Sequence, residues 1–138
     1  YGDHRDLHSF PTRRSSDLED TPTGDASLHS IELMGQKFTL LNGGPRFKFN
    51  EAISFVIDCV DQAELDYYWE TLTAAGGEEG QCGWLKDKFG LSWQVVPLRF
   101  YELMEDEDQE KTGRVMQAML KMKKFDIAEL EKAYDGTE

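Results

Sequence analysis

The chain has 138 residues, with 15 Lys and Arg against 27 Asp and Glu, a net charge of −12 and 39% apolar residues. That is enough apolar material for one domain and too little for two, and the acidic balance excludes a phosphate-gripping basic face of the kind that binds nucleic acid. No run of 18 apolar residues is present, so no segment reads as a membrane span. The two cysteines, Cys59 and Cys82, form no CxxC pair, and a reducing cytoplasm is the expected compartment.

Residues 1–18 show no hydrophobic period and no apolar signal region. The string HSFPTRRSSDL, His8 to Leu18, is what the codons of a common short-read sequencing adapter encode, and the preceding triplets of that adapter give Tyr1 to Leu7. The segment therefore reads as translated adapter, and the genuine chain is expected to start within a coding sequence and to lack its own beginning. Arg5, Arg13 and Arg14 balance Asp3, Asp6 and Asp17, so residues 19–138 carry the whole charge of −12. His29 is then the single genuine histidine.

Glu19 to Ala26 is polar and rich in turn formers, a lead-in. Ser27 to Leu33 alternates, with His29, Ile31 and Leu33 on one face, and Lys37 to Leu41 alternates again after a turn at Met34-Gly35-Gln36, so the pair predicts a hairpin. Asn42-Gly43-Gly44-Pro45 breaks regular structure. Ala52 to Cys59 is short, β-branched and aromatic, a strand. Asp61 and Glu64 have capping-box spacing, and Leu65, Tyr68, Trp69 and Leu72 fall on one helical face. Ala74-Ala75-Gly76-Gly77 ends that helix with a glycine for the left-handed cap. Strands are predicted at Gly83 to Phe89 and Leu91 to Val96 around Gly90. Asp106 or Asp108 caps a helix with Val115, Met116, Met119, Leu120 and Lys123 on one side. Asp126 caps a last helix with Ile127, Leu130 and Tyr134 inward. The stripe Met116, Met119, Met122 reads as core or dimer surface.

The strings NGGP (42–45), FKFNEAISF (47–55), CGWLKDKFGLSWQVVP (82–97) and VMQAMLKMKK (115–124) resemble the PhnB-like branch of the vicinal oxygen chelate superfamily, whose members often carry the label 3-demethylubiquinone-9 3-methyltransferase. The resemblance covers residues 27–138. It implies an α+β fold of βαβββ modules: a complete second module at 52–97, a first module reduced to its last two strands at 27–41, and C-terminal helices at 106–135. It also implies a cleft for small molecules and a homodimer, and a fragment lacking half of its first sheet is expected to be inactive.

Many relatives hold a divalent metal through His and Glu. At the corresponding positions this chain has Ala52, Gln94 and, near the end of the hairpin, Asn42, which supply no lone pair or only neutral amide oxygen. No metal or other cofactor is expected from these residues. The methyltransferase label is not supported by a donor site either. Gly43-Gly44 runs into Pro45 and Gly76-Gly77 follows a helix, whereas a nucleotide loop needs its glycines between a strand and a helix. A nucleophilic triad lacks partners for its one histidine, and Cys82, although near Lys86, reads as an inert turn or strand cysteine.

The second module does offer a polar and aromatic set, Trp84, Lys86, Trp93 and Gln94, on strands flanking Gly90. With Asn42 these are the expected ligand-binding residues, suited to a small organic molecule. Lys86 and Asp87 could instead form a surface pair, and one of the tryptophans could be core. Two other readings stay open. One is a metal-assisted glyoxalase- or dioxygenase-type enzyme whose ligands lie in the missing N-terminus; the other is a non-catalytic dimerisation protein.

Overall fold

The computed structural model describes residues 27–137; the adapter and lead-in readings, at 1–18 and 19–26, lie outside the described residues. The chain divides into two compact units, Tyr1–Phe47 and Lys48–Glu138.

In the first unit, β1 (Ser27–Leu33) and β2 (Gln36–Asn42) pair antiparallel, from Leu33 opposite Gln36 to Ser27 opposite Asn42. The turn is two residues long, one shorter than the sequence predicts. Met34 and Gly35 both adopt positive φ, 50° and 78°, which gives the reverse turn whose twist matches that of paired strands. Gln36 is thereby released into β2. His29 faces Leu40 and Ile31 faces Phe38 on one side, while Glu32 lies opposite Lys37 on the other.

The second unit is built on strand β3 (Ser54–Cys59), helix α1 (Gln62–Thr73), and strands β4 (Glu78–Glu79), β5 (Trp84–Lys86) and β6 (Ser92–Pro97). The strands form one sheet in the order β3-β6-β5-β4, with β3 parallel to β6 and the other pairs antiparallel. The helix starts where the sequence places it. The Asp61 carboxylate accepts from the Glu64 N–H at 2.9 Å, and Glu64 reaches back to the Val60 N–H at 2.7 Å, one residue beyond the usual capping-box donor. Leu65 and Trp69 are buried on its inner face with Tyr68 and Leu72 packed beside them, as the spacing predicts. At its end the first left-handed residue is Ala75 (φ 55°), ahead of Gly76.

Alternation along the strands sorts the sheet into two faces. Phe55, Ile57, Leu85, Trp93 and Val95 lie on one, and Leu85 and Val95 join Leu65 and Trp69 of α1 in the core. Ser54, Val56, Asp58, Trp84, Lys86, Ser92 and Gln94 share the other.

Three further helices follow. Helix α2 (Leu98–Met104) starts straight after Pro97, a helix the sequence reading does not contain; the fixed proline φ of −75° at the cap position suits a helix start. Helix α3 (Gln109–Met119) is capped by Asp108, which accepts from the N–H groups of Glu110 and Lys111. Asp106, the other candidate cap, accepts instead from the Tyr134 hydroxyl. Because α3 ends at Met119, Leu120 leaves the predicted inner stripe and is 54% exposed. Helix α4 (Ile127–Asp135) is capped by Asp126 as predicted, with Leu130 buried.

The segment between α3 and α4 docks on the sheet at Cys82 and Gly83. The N–H groups of Cys82 and Gly83 donate to the carbonyls of Met122 and Lys123 at 2.8 and 2.7 Å, while the Gly83 carbonyl accepts from Val95 N–H at 2.8 Å. A Cβ on Gly83 would stand 2.4 Å from Phe125 and 2.9 Å from the Val95 oxygen, and its φ is +79°. Gly83→Ala is therefore expected to cost about 3 kcal/mol, combining overpacking with a left-handed alanine. Gly90, with the same sign of φ and nothing within 4 Å of an added Cβ, isolates the conformational part, and Gly90→Ala should cost about 1 kcal/mol. Urea titration of both variants checks the ordering.

Cys59 is fully buried at the end of β3. Burial, reinforced by the nearby carboxylates Glu64, Asp58 and Asp61, pushes its thiol up to about 12. The neutral thiol fits the fold and the thiolate does not. This contribution to stability is whole below the unfolded-state value of about 8.5 and lost as pH rises toward the folded one. Stability should fall across pH 9 to 12, and in native protein iodoacetamide should label the partly exposed Cys82 while sparing Cys59. Peptide mass spectrometry before and after unfolding reads the difference.

Candidate functional site

The register between β5 and β6 decides which candidate residues meet. Trp84 pairs with Gln94 and Lys86 with Ser92, so these four share the sheet face opposite α1. Trp93 pairs with Leu85 and lies on the helix-covered face. Its ring packs against Phe55 at 5.5 Å between centroids, and its indole N–H donates to Asp87 Oδ2 at 3.0 Å. The structure thus brings Trp84, Lys86 and Gln94 together and sets Trp93 apart from them. Asn42 belongs to the hairpin unit, at the end of β2 opposite Ser27.

Asp87 organises the turn that fixes this register. Its Oδ1 accepts from the N–H groups of Phe89 and Leu91 at 2.9 and 3.1 Å, its carbonyl from Gly90, and its own N–H donates to the Leu91 carbonyl. The predicted strands up to Phe89 and from Leu91 are shortened accordingly, to Trp84–Lys86 and Ser92–Pro97. Lys86 makes no pair with Asp87. It ion-pairs with Glu51, from the turn before β3. That contact holds the Glu51 carboxyl below its ordinary range and lifts the Lys86 ammonium above its own.

Across the sheet, one row of side chains runs Ser54, Ser92, Lys86, Glu78, and the next contains Val56, Gln94 and Trp84. The Gln94 amide donates to the Ser54 hydroxyl at 2.9 Å. Beside these rows a cavity of about 220 Å³ is lined by Glu51, Glu78, Glu79, Trp84, Lys86 and Ser92, with Gly80 and Leu85. Ser92 is 1% exposed and its hydroxyl has no hydrogen-bond partner. Glu79, paired in register with Leu85, accepts from the Trp69 indole at 3.0 Å, and that bond with Lys123 nearby holds its carboxyl low.

Sequence reasoning missed Ser92, Glu51 and Glu78. Ser92 could have been found, since it stands two residues before Gln94 and so on the same strand face. Glu78 could not, because a two-residue strand leaves no periodic signal.

Two of the metal positions, Ala52 and Gln94, lie in the second unit. Ala52 precedes the strand, where its N–H donates to Asn50 Oδ1. Gln94 spends its amide on Ser54. Among the described residues no three His, Cys, Asp or Glu side chains converge on a point where a metal could sit. The glycine pairs give no nucleotide loop either: Gly43-Gly44 follows β2 and enters a turn, and Gly76-Gly77 lies between α1 and β4. Among the described residues no helix is long and apolar enough to cross a membrane.

The family model for 3-demethylubiquinone-9 3-methyltransferase matches residues 8–96. The chain belongs to that family, the PhnB-like branch. The matched span includes residues 8–18, which the codon reading assigns to adapter. Among solved structures, a PhnB protein from Bacillus cereus is similar at 24% identity, over 62% of this chain and 75% of that one, with a TM-score of 0.48. No curated protein matches the chain. The mixed architecture, a hairpin and a four-stranded sheet with helices, agrees with the α+β class that the resemblance implies.

Asp87→Ala removes the acceptor of two backbone N–H groups and an indole at once. It is expected to cost about 2–3 kcal/mol and to shift the emission of Trp93, while Asp87→Asn, which keeps one carbonyl oxygen, should cost less than half as much. Denaturant titration followed by tryptophan fluorescence measures both.

Proposed function

We propose that this protein binds a small organic molecule on the open face of its four-stranded sheet, with Trp84 as an aromatic wall and Lys86 and Gln94 as polar contacts, and that it acts without a metal ion. The observation that carries this reading is the shared face. Residues from β5 and β6 that have no role in the helix-side core stand beside a cavity large enough for a few heavy atoms, next to a buried hydroxyl without a partner. Apolar walls with a few placed polar groups are the usual make-up of small-molecule sites. Val56, 51% exposed on the edge strand β3 of that face, supports a covered working state, and we propose a homodimer for the full-length protein. The methyl transfer named in the family description finds no donor loop among the described residues, so binding rather than methyl transfer is the reading preferred here.

Thermal-shift screening of a small-molecule collection against the whole chain tests the proposal. A ligand held at a hundred times its Kd adds about 2.7 kcal/mol and should raise Tm by about 10 °C, saturably. Trp84→Ala and Gln94→Ala should each weaken that ligand without lowering the unliganded Tm by more than a few degrees. Saturable stabilisation by Zn²⁺ or Mn²⁺ alone, surviving Gln94→Ala, would overturn the metal-free reading. A collection-wide absence of any shift would count against ligand binding itself.

A further inference from the structure

We infer that Asn42-Gly43 is a site of spontaneous covalent modification, where Asn42 cyclises onto the next amide, loses ammonia and becomes aspartate and isoaspartate. The inference concerns the hairpin unit by itself and stands apart from the ligand reading above.

The chemistry needs an asparagine whose side-chain carbonyl carbon can be reached by the following backbone nitrogen. A Cβ on the following residue crowds that approach, and glycine has none. The chain has two asparagines, Asn42 and Asn50, and Asn42 alone precedes glycine. Asn42 is the last residue of β2, Gly43 lies beyond the strand, and both are exposed. Among the described residues nothing hydrogen-bonds to the Asn42 side chain. Strand ends fray at little cost, so the Asn42 backbone can turn its side chain onto the Gly43 nitrogen. The neighbouring candidates are held differently. Asn50 Oδ1 accepts from the Ala52 N–H at 2.9 Å, and the residue after it, Glu51, carries a Cβ. Asp135-Gly136 has the same spacing with a carboxylate, but the Gly136 N–H donates to the carbonyls of Ala133 and Lys132 at the end of α4. The nitrogen that would attack is engaged there.

The step balances with water as the one co-reactant. The Gly43 nitrogen gives up its proton to hydroxide and bonds to Asn42 Cγ, while the Cγ–Nδ2 bond breaks and the amide nitrogen, protonated by water, leaves as ammonia. Water then opens the cyclic imide. Opening at Cγ gives aspartate; opening at the Asn42 main-chain carbonyl gives isoaspartate, whose main chain runs through the side chain and is one methylene longer. Either product adds a negative charge to a chain already at −12. In isoaspartate the extra atom enters after the ladder pair of Ser27 with Asn42 and before the second unit, which begins at Lys48. The pairs from Leu28 with Leu41 inward keep their register, so the altered chain stays folded and the product accumulates with the age of the molecule.

Incubation of the whole chain at mildly alkaline pH in heavy-oxygen water, followed by peptide mass spectrometry, tests this. Heavy oxygen should enter at Asn42 at least about tenfold faster than at Asn50, in two products that elute apart, and the Asp135-Gly136 peptide should stay unlabelled. The rate should rise with hydroxide concentration. Gly43→Ala isolates the geometry. Its Cβ would meet only Leu41 side-chain atoms, at 3.5 and 3.6 Å, and φ at this glycine is not left-handed. The variant should therefore keep the parent's circular dichroism while labelling at Asn42 falls at least about tenfold. An unchanged rate in Gly43→Ala, or labelling of Asn50 as fast as Asn42, would overturn the inference. So would a rate in native protein more than about tenfold below that in urea, because the fold would then be shielding the site.

Discussion

A side chain at position 83 would collide with Phe125 and the Val95 oxygen, and the arrangement of the larger unit follows from that. The backbone there serves three partners. It donates to the segment between α3 and α4, accepts from β6, and has the Phe125 ring where a Cβ would stand. Such a junction needs a residue with no Cβ and a left-handed φ, conditions that glycine alone meets without strain. Phe125 then becomes a keystone, packed at a tilt against Phe100 of α2 with ring centroids 5.3 Å apart and buried to 2% exposure. The Gly83 contact ties the segment between α3 and α4 to the sheet, alongside the packing of α2 on β6 and the Lys123–Glu79 pair.

The division of labour between the two sheet faces follows from the covering of one of them by α1. One face is used up by helices and filled with Leu85, Val95, Ile57 and the Phe55–Trp93 pair. The other keeps a mixture of hydroxyl, amide, ammonium and indole groups that has no structural use for α1. Asp87 stands between these roles. By holding the β5–β6 turn at a fixed length it decides which residue of the CGWLKDKFGLSWQVVP stretch faces which way, so a turn carboxylate governs the composition of the candidate site without touching it.

Much of the second unit was legible from the chain. Helix caps at Asp61 and Asp126 are local chemistry, a carboxylate over free N–H groups, and local chemistry can be read from a few residues. The inner face of α1 was legible for the same reason, since its period is carried by four large side chains. The side taken by Trp93 was not. It depends on the residue at which β6 begins, which is set by five residues of turn geometry around Asp87. Trp84, Lys86 and Gln94 share a face only because that count places Trp84 opposite Gln94. Helix α2 and strand β4 were illegible on other grounds. The former is a short segment stabilised by burying its own Leu103 and setting Phe100 against Phe125, and the latter consists of two glutamates that pair because the β5 edge offers hydrogen bonds. The partner of Lys86, thirty-five positions away at Glu51, is a tertiary fact with no sequence signal.

Gln62, in the first turn of α1, has an order of events written into its side chain. Its amide donates to the Phe125 carbonyl at 3.1 Å and accepts from the Ile127 N–H at 2.9 Å, taking the place of a neighbouring peptide unit for residues more than sixty positions further on. On the ribosome, α1 emerges long before its two partners exist. The docking of the α4 start against Gln62 must therefore wait for the last stretch of chain, and contacts of such separation are formed late and entropically dearly. The same geometry makes this seam a natural first place to open: a protease meeting the native protein would find the last helix detaching as a unit, with the sheet and α1 still intact behind it.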